Sequence, residues 1–458
     1  MTDNNGAALK NHSRRHCGID DMGQNKFLES SYFDLSFNAV FPKFGTNKSR
    51  EIKRLIFEIS KIEKCEPSLI LNSIKDKNYA SVKKILLQKR YPKNFSKIKS
   101  NSYYLPKYEI DENLKADLNN SPFDPKNIYF ENGAQNSILF DNVKKKFPKA
   151  FFKEIPSLKI FSKEKPFSIA DYNKRNSNLF IVKEKYDFFK RCPCTSGAAN
   201  CGYSIMNLGM GCPYECSYCF LQGYQNIAGI VLPYNIGDYL LDEKISGAVK
   251  GLFDYKRIGS GEWTDSLVFD DITQFSKPII EFFRNKPDIF FEFKTKSANV
   301  SNILSIDPAK NIAIAWSVNA PEISKNNEFK SAALEQRLES AKQCAKAGFK
   351  TAFHFDPIIY YKNWKDGYKQ TIDMIFDAVP NDSILWISFG TLRMPAILKP
   401  IIENRFPKNE ILNAELLLGQ DYKLRYDEET KREIYTFMNK QIKSKKSKAI
   451  VYLCMENV

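Results

Sequence analysis

Beyond Gly202 the chain alternates strand-like and helix-like segments six times. This rhythm limits the fold more than any other feature of its 458 residues. Strand-like apolar runs fall at 203–208, 257–261, 289–295, 312–317, 350–355 and 384–389. Helix-patterned segments follow them, among them 238–252, 277–284, 333–347, 367–376 and 396–404. Repeated βα units imply parallel strands with helices packed outside, in a sheet that is flat or rolled into a barrel. In such barrels the reactive groups gather where the strands end.

Polar residues recur at that end of the expected strands. Glu262, Thr264, Asp265 and Ser266 follow the second strand. Lys294 and Lys296 close the third, on one face by the two-residue period. Ser317 ends the fourth, His354 the fifth, and Arg393 lies just beyond the sixth. Polar residues often end strands merely because loops begin there, so their repetition at one end is the signal.

Three cysteines follow the first strand in the order Gly-Met-Gly-Cys212-Pro-Tyr-Glu-Cys216-Ser-Tyr-Cys219-Phe-Leu-Gln. Three thiolates on one short loop can ligate three irons of a [4Fe–4S] cluster and leave the fourth open. An open iron can take the amino and carboxylate groups of S-adenosylmethionine. One electron from the cluster then cleaves the sulfonium, giving methionine and a 5′-deoxyadenosyl radical. The competing reading is a zinc site or reduced structural thiols. Structural zinc usually takes four ligands in paired spacings, and the chain has only three histidines, His12, His16 and His354.

The formal charge is +16. Residues 1–120 hold 22 Lys and Arg against 14 Asp and Glu. Such an excess suits a polyanion, nucleic acid above all, or a Lys-rich solvated surface. Residues 52, 55, 56, 59 and 62 are isoleucine or leucine on one helical face, so a helical region is expected there. No run approaches the roughly 20 apolar residues of a membrane span. Residues 1–21 are polar, without the apolar core of a secretory signal, and a cytoplasmic location is expected. The expected organisation is a disordered tail (1–25), a basic helical region with linker (26–122), a small α/β unit (123–201), a partial barrel (202–410) and a C-terminal extension (411–458). Within the small unit, strands are expected at 128–131 and 158–161, with a helix over 135–147.

From residue 128 onward the chain resembles the spore photoproduct lyases among the radical S-adenosylmethionine enzymes. The resemblance rests on the cysteine motif and on Gly261-Glu-Trp-Thr-Asp-Ser266, Phe293-Lys-Thr-Lys296 and Ala315-Trp-Ser-Val-Asn319. Leu392-Arg393 and Lys399-Pro-Ile-Ile-Glu-Asn-Arg-Phe-Pro407 extend it. It implies an α/β fold, a partial (β/α)6 barrel of the radical-SAM type. A [4Fe–4S] cluster on Cys212, Cys216 and Cys219 is implied too, with S-adenosylmethionine held by Glu262, Thr264, Asp265, Ser266, Lys296 and Ser317. Tyr218, Trp263, His354 and Arg393 are the candidate substrate-side groups. The family's reaction reverses a thymine–thymine lesion in DNA, so a nucleic acid substrate is implied, DNA before RNA. An electron donor such as flavodoxin or ferredoxin is implied as well. Two positions depart from the family's pattern: Trp263 stands where lyases carry a hydrogen-donating cysteine, and Phe220 where they carry a second tyrosine. The alternatives are radical modification of RNA or a peptide, and a nucleic-acid-binding protein whose cluster is structural or redox-sensing.

Overall fold

The computed structural model describes residues 31–107, 111–162, 167–185, 188–193, 201–241, 245, 248, 250 and 253–456. The expected tail, 1–25, lies outside them. The chain divides into two compact units, one ending at Phe95 and one running from Ser96 to Val458.

The first unit packs four helices: α1 (Ser31–Val40), α2 (Thr46–Glu63), α3 (Pro67–Ser73) and α4 (Tyr79–Arg90). Ile52, Leu55, Ile56 and Ile59 form the buried stripe of α2, whereas Ile62, in its last turn, is exposed. Asn78 caps α4 by accepting from the amides of Ala80 and Ser81. Glu58 ties α2 to α4 inside the unit. It accepts from Arg54 Nε at 2.8 Å and from Arg90 Nε at 2.7 Å.

The second unit opens with β1 (Asn127–Glu131), β2 (Phe151–Ile155), β3 (Asn178–Val182) and β4 (Phe189–Arg191). Then come β5 (Tyr203–Met206), β6 (Glu215–Cys216), β7 (Ile230–Pro233), β8 (Lys256–Ser260) and β9 (Ile289–Thr295). The remainder are β10 (Ile312–Ser317), β11 (Glu328–Phe329), β12 (Lys350–Ile358), β13 (Ile384–Thr391), β14 (Arg393–Pro395), β15 (Leu417–Leu418), β16 (Lys423–Arg425) and β17 (Ile450–Leu453). The main sheet has the order β17-β13-β12-β10-β9-β8-β5-β4. Its strands run parallel except β4, which is antiparallel to β5. This sheet curls into a half-barrel, and it contains all six expected strands in the expected order. β10 is buried along its whole length, as a strand covered on both faces must be. All parallel strands end on one side, so that side collects the loops of the site.

One expectation needs correction. The segment 158–161 is not a strand but a helical turn, Leu158–Phe161, because Ser157 Oγ accepts from Ile160 N and caps it. The strand of that unit is β2, which pairs in parallel with β1, and β3 and β7 complete a four-stranded sheet. The expected helix 238–252 is described only in part, beginning with the 3-10 turn Ile236–Tyr239; the rest lies largely outside the described residues. The expected C-terminal extension contributes β17, a seventh parallel strand of the main sheet. No helix among the described residues is long and apolar enough to cross a membrane.

Candidate active site

The cysteine loop leaves β5 through Gly211, whose φ of +88° lies where side chains are strained. A Cβ there would also meet Gly229 O at 3.0 Å. Gly211 N donates to Trp263 O at 2.7 Å, so the loop is fastened to the end of β8. Cys216 sits in β6 opposite Glu328 of β11. The loop's carbonyls are gripped from behind. Arg175 donates to Cys212 O at 2.9 Å and to Tyr214 O at 2.7 Å. Gln222 donates to Ser217 O at 2.8 Å and to Cys219 O at 3.0 Å. Glu215 takes Arg175 at 2.9 Å and Arg405 at 2.6 Å, and Arg405 also donates to Gln222 Oε1. With its backbone pinned, the loop brings all three cysteines to the wall of one cavity of about 680 Å³. Burial pushes the Cys216 thiol up to about 12, and burial raises Cys212 and Cys219 as well. A metal bound to them would therefore have to displace their protons.

Of the thirteen candidate residues, eleven line this cavity: Cys212, Cys216, Cys219, Tyr218, Glu262, Trp263, Thr264, Asp265, Lys296, Ser317 and Arg393. Asp265 is saturated. It accepts from the amides of Leu267 and Val268 at 3.0 Å each, from Thr295 Oγ1 at 2.6 Å and from Lys296 N at 2.6 Å. Its carboxylate thus fixes the strand-end turn and brings a charge to the cavity. Thr264 Oγ1 and Trp263 Nε1 are buried with no hydrogen-bond partner. An orphaned buried polar atom costs about 1–3 kcal/mol, a cost that a bound ligand with matching groups would remove. Lys190 Nζ lies 2.8 Å from Glu262 Oε2 and 5.5 Å from the Trp263 ring centre.

Lys296 and Tyr218 lead into a buried network. Tyr218 donates its hydroxyl to Glu328, which also accepts from Arg337 Nη1 at 2.6 Å and Ser324 Oγ at 3.1 Å. Burial would raise Glu328, but the Arg337 and Lys296 charges outweigh it and hold the carboxyl down to about 2. Burial would lower Lys296; Cys216 and Glu328 beside it hold the ammonium above its ordinary value instead. Lys296 therefore stays cationic next to the thiols. Arg393 donates to Met455 O at 2.5 Å and to Met455 Sδ at 3.0 Å, so it braces the C-terminal segment as well as lining the cavity.

Two candidates lie elsewhere. Ser266 Oγ donates to Ser260 O at 2.7 Å and accepts from Lys294 N at 3.1 Å, stitching β8 to β9. His354 is only 4% exposed. It bonds Glu292 Oε1 through Nε2 at 2.7 Å and Ser388 Oγ through Nδ1 at 2.6 Å. Burial lowers its pKa, and a neutral ring donating to the carboxylate and accepting from the hydroxyl satisfies both nitrogens. Its place is inside the sheet, because β12 continues to Ile358 and His354 is not at its end. Residue-by-residue reading also omits the clamp of Arg175, Glu215, Gln222 and Arg405 and the Glu328–Arg337 pair. Glu215 and Gln222 lie inside the cysteine motif and Arg405 inside 399–407, so charged and amide residues embedded in those motifs were the available signal.

The donor set fits an iron–sulfur cluster. The three cysteines and Lys296 line one cavity, and soft thiolates are the ligands such clusters take.

Comparison with known proteins agrees with this architecture. The family model "Spore photoproduct lyase" matches residues 123–454. The spore photoproduct lyase of Clostridium acetobutylicum is 29% identical over 289 residues, covering 60% of this chain and 82% of the relative. That of a Geobacillus species is 24% identical over 304 residues, covering 63% and 85%. A crystal structure of a spore photoproduct lyase mutant with bound AdoMet and dinucleoside spore photoproduct superposes with a TM-score of 0.59 at 22% identity. It covers 73% of this chain and 100% of that one. A lyase complexed with dinucleoside spore photoproduct gives a TM-score of 0.60 with the same identity and coverage. The family match runs through most of the unit that holds the half-barrel and the cysteine loop: this chain belongs to the spore photoproduct lyase family.

Proposed function

We propose that this chain is a radical S-adenosylmethionine enzyme acting on a pyrimidine lesion in nucleic acid, with DNA as the favoured substrate. The observation that carries the reading is the single cavity in which three thiols face the polar strand ends of a parallel half-barrel. Cys212, Cys216 and Cys219 would hold a [4Fe–4S] cluster. When bound, the cluster and S-adenosylmethionine supply a 5′-deoxyadenosyl radical. Lys296, beside the thiols, suits the methionine carboxylate, and the fixed charge of Asp265 suits its ammonium. Thr264 and Ser317 offer hydroxyls on the same wall, and Glu262 a carboxylate held by Lys190. Trp263 and Phe220, edge to face at 6.1 Å, form an apolar corner of the cavity where a base can pack. The Tyr218 hydroxyl hydrogen is engaged by Glu328. Neither that group nor the Trp263 indole is the easy hydrogen donor that a thiol would be. Repair of a thymine lesion by this chain is therefore expected to be slow or to leave side products. A reductant such as flavodoxin or ferredoxin in the cytoplasm completes the reading.

The test is anaerobic incubation of the reconstituted chain with S-adenosylmethionine, reductant and a deuterated dinucleoside lesion, read by mass spectrometry. Methionine and deuterium-bearing 5′-deoxyadenosine are expected. Cleavage without deuterium transfer would move the substrate to RNA or a peptide. No cleavage by a protein loaded with four irons would leave a structural or redox-sensing cluster. The cofactor assignment is tested separately by Lys296→Ala. Losing one charge-assisted bond should weaken S-adenosylmethionine binding by about 1.5–3 kcal/mol, roughly ten- to a hundredfold. Equal affinity in equilibrium binding, with iron content unchanged, would remove Lys296 from that role.

A further inference from the structure

We infer that the helical unit ending at Phe95 carries a docking face for the phosphate backbone of nucleic acid, built from lysines laid over a row of aromatic rings. The row is Phe37, Phe41, Phe44 and Tyr79, with successive ring centres 5.2, 4.7 and 5.7 Å apart. Four ammoniums lie over it. Lys53 Nζ is 4.9 Å from the Phe37 centre and Lys77 Nζ is 5.3 Å from Phe41. Lys48 and Lys83 stand over Tyr79 at 5.3 and 5.7 Å. Phe37 lies in α1 and Phe41 just after it, Phe44 and Lys77 lie in the turns before α2 and α4, and Lys48, Lys53, Tyr79 and Lys83 lie in the N-terminal halves of α2 and α4, so folding alone brings the cations together.

A merely Lys-rich composition leaves lysines swinging in water. Here ring contacts hold them, so less side-chain freedom remains to be lost when a polyanion binds. Between residues 31 and 95 there are 14 Lys and Arg against six Asp and Glu. Lys53 pairs with Asp34 and Lys83 with Glu51, each at 2.6 Å, and Tyr79 also donates to Glu51. Lys48 and Lys77 have no carboxylate partner among the described residues. They are the two charges ready to meet phosphate. Duplex DNA, with one negative charge per about 1.7 Å of axis, offers such cations a dense row of phosphates. An anionic membrane is the less favoured polyanion, because membrane docking wants apolar groups projecting beside the cations. Phe37 and Phe41 are buried, and Phe44 and Tyr79 are half-buried. The unit precedes the family match, which begins at residue 123, and the inference stands apart from the reaction proposed for the cavity.

The experiment uses the full chain and a short lesion-free DNA duplex, without S-adenosylmethionine, read by fluorescence anisotropy over a series of salt concentrations. Native protein is compared with Lys48→Glu/Lys77→Glu, with the milder Lys48→Gln/Lys77→Gln, and with Lys64→Glu/Lys89→Glu. The last pair is a control near the far ends of α2 and α4. The first variant should bind about tenfold more weakly at moderate salt. The slope of log affinity against log salt should fall by about one per lysine removed, in the Gln variant too. The control should keep the native slope. Equal slopes in all proteins would overturn the inference, as would an equal loss in the control, which would reduce the effect to net charge. A further overturning result would be Lys48- and Lys77-dependent sedimentation with phosphatidylserine-containing vesicles but no such dependence on DNA. Retained helicity by circular dichroism shows that the variants fold.

Discussion

Cys216→Ala is expected to give a folded protein that assembles no four-iron cluster and cleaves no S-adenosylmethionine. The fold should survive because β6 is held by backbone pairing to β11 and by carbonyl bonds that need no sulfur. Cys216 is buried at 8% exposure, and the substitution removes one sulfur atom from its surroundings. A small cavity of that kind costs on the order of 1 kcal/mol. The chemistry should fail because two thiolates leave two of the four irons without protein ligands, where the reading needs one open iron. Anaerobic reconstitution should bring close to four irons and four sulfides into the native chain and fewer into the variant. Its far-ultraviolet circular dichroism should stay native. A variant that retained four irons and still formed methionine would remove Cys216 from the ligand set. One equivalent of zinc and no iron in the native chain would remove the cluster altogether.

The six strands of the half-barrel are legible in the sequence because each is an apolar run punctuated by a helix-patterned segment, and burial on both faces requires such runs. β2 is not legible: it is an edge strand, with Lys153 and Glu154 among its five residues and only Ile155 buried. β17 is also missed. It is four residues long and lies behind the helix Glu428–Ser444, and only its distant partner β13 makes it a strand. The same division holds at the site. Residues at strand ends and the cysteines can be found locally, since strand direction and spacing place them. The clamp behind the loop cannot, because Arg405 reaches Glu215 across 190 residues and Arg337 reaches the Cys216 partner Glu328 from a separate helix. His354 shows the opposite error: the strand runs three residues beyond its expected end, and a residue taken for a rim group is inside the wall.

The proposed cluster also gives a reason for so many charges lying under the cysteine loop. In the function proposed above, three thiolates and a reducible cluster would carry negative charge, and a loop that held them would have to resist relaxing as that charge changed. Arg175 and Arg405, each fully buried, share Glu215 and stack on the Tyr172 ring at 4.2 and 4.7 Å. One carboxylate between two guanidiniums leaves a net positive charge behind the cysteines, while the carbonyls of Cys212 and Tyr214 accept from Arg175 and the side chains of Asn173 and Gln222 accept from Arg405.

Glu215→Ala should therefore be the most damaging single change outside the cysteines. It leaves two buried guanidiniums without their common carboxylate, and breaking a buried pair from one side typically costs about 3–5 kcal/mol. Glu215→Gln should be milder, since the amide oxygen can still accept one bond but brings no charge. In the metal-free protein, the urea midpoint of the larger unit's transition should fall steeply in the alanine variant and less in the glutamine variant. The transition of the helical unit ending at Phe95 should stay put. Iron uptake should fall in the same order, because the carbonyl grip on the loop loosens with the guanidiniums. Removing the charges together, as Arg175→Met/Glu215→Leu/Arg405→Met, tests which effect dominates. A buried ionic triad replaced by apolar side chains is often neutral for stability. If the clamp acts through charge and aimed donors, that triple variant should recover urea resistance yet remain poor at holding iron. Full recovery of both would reduce the clamp to packing, and an unchanged midpoint in Glu215→Ala would show that the two arginines do not depend on it.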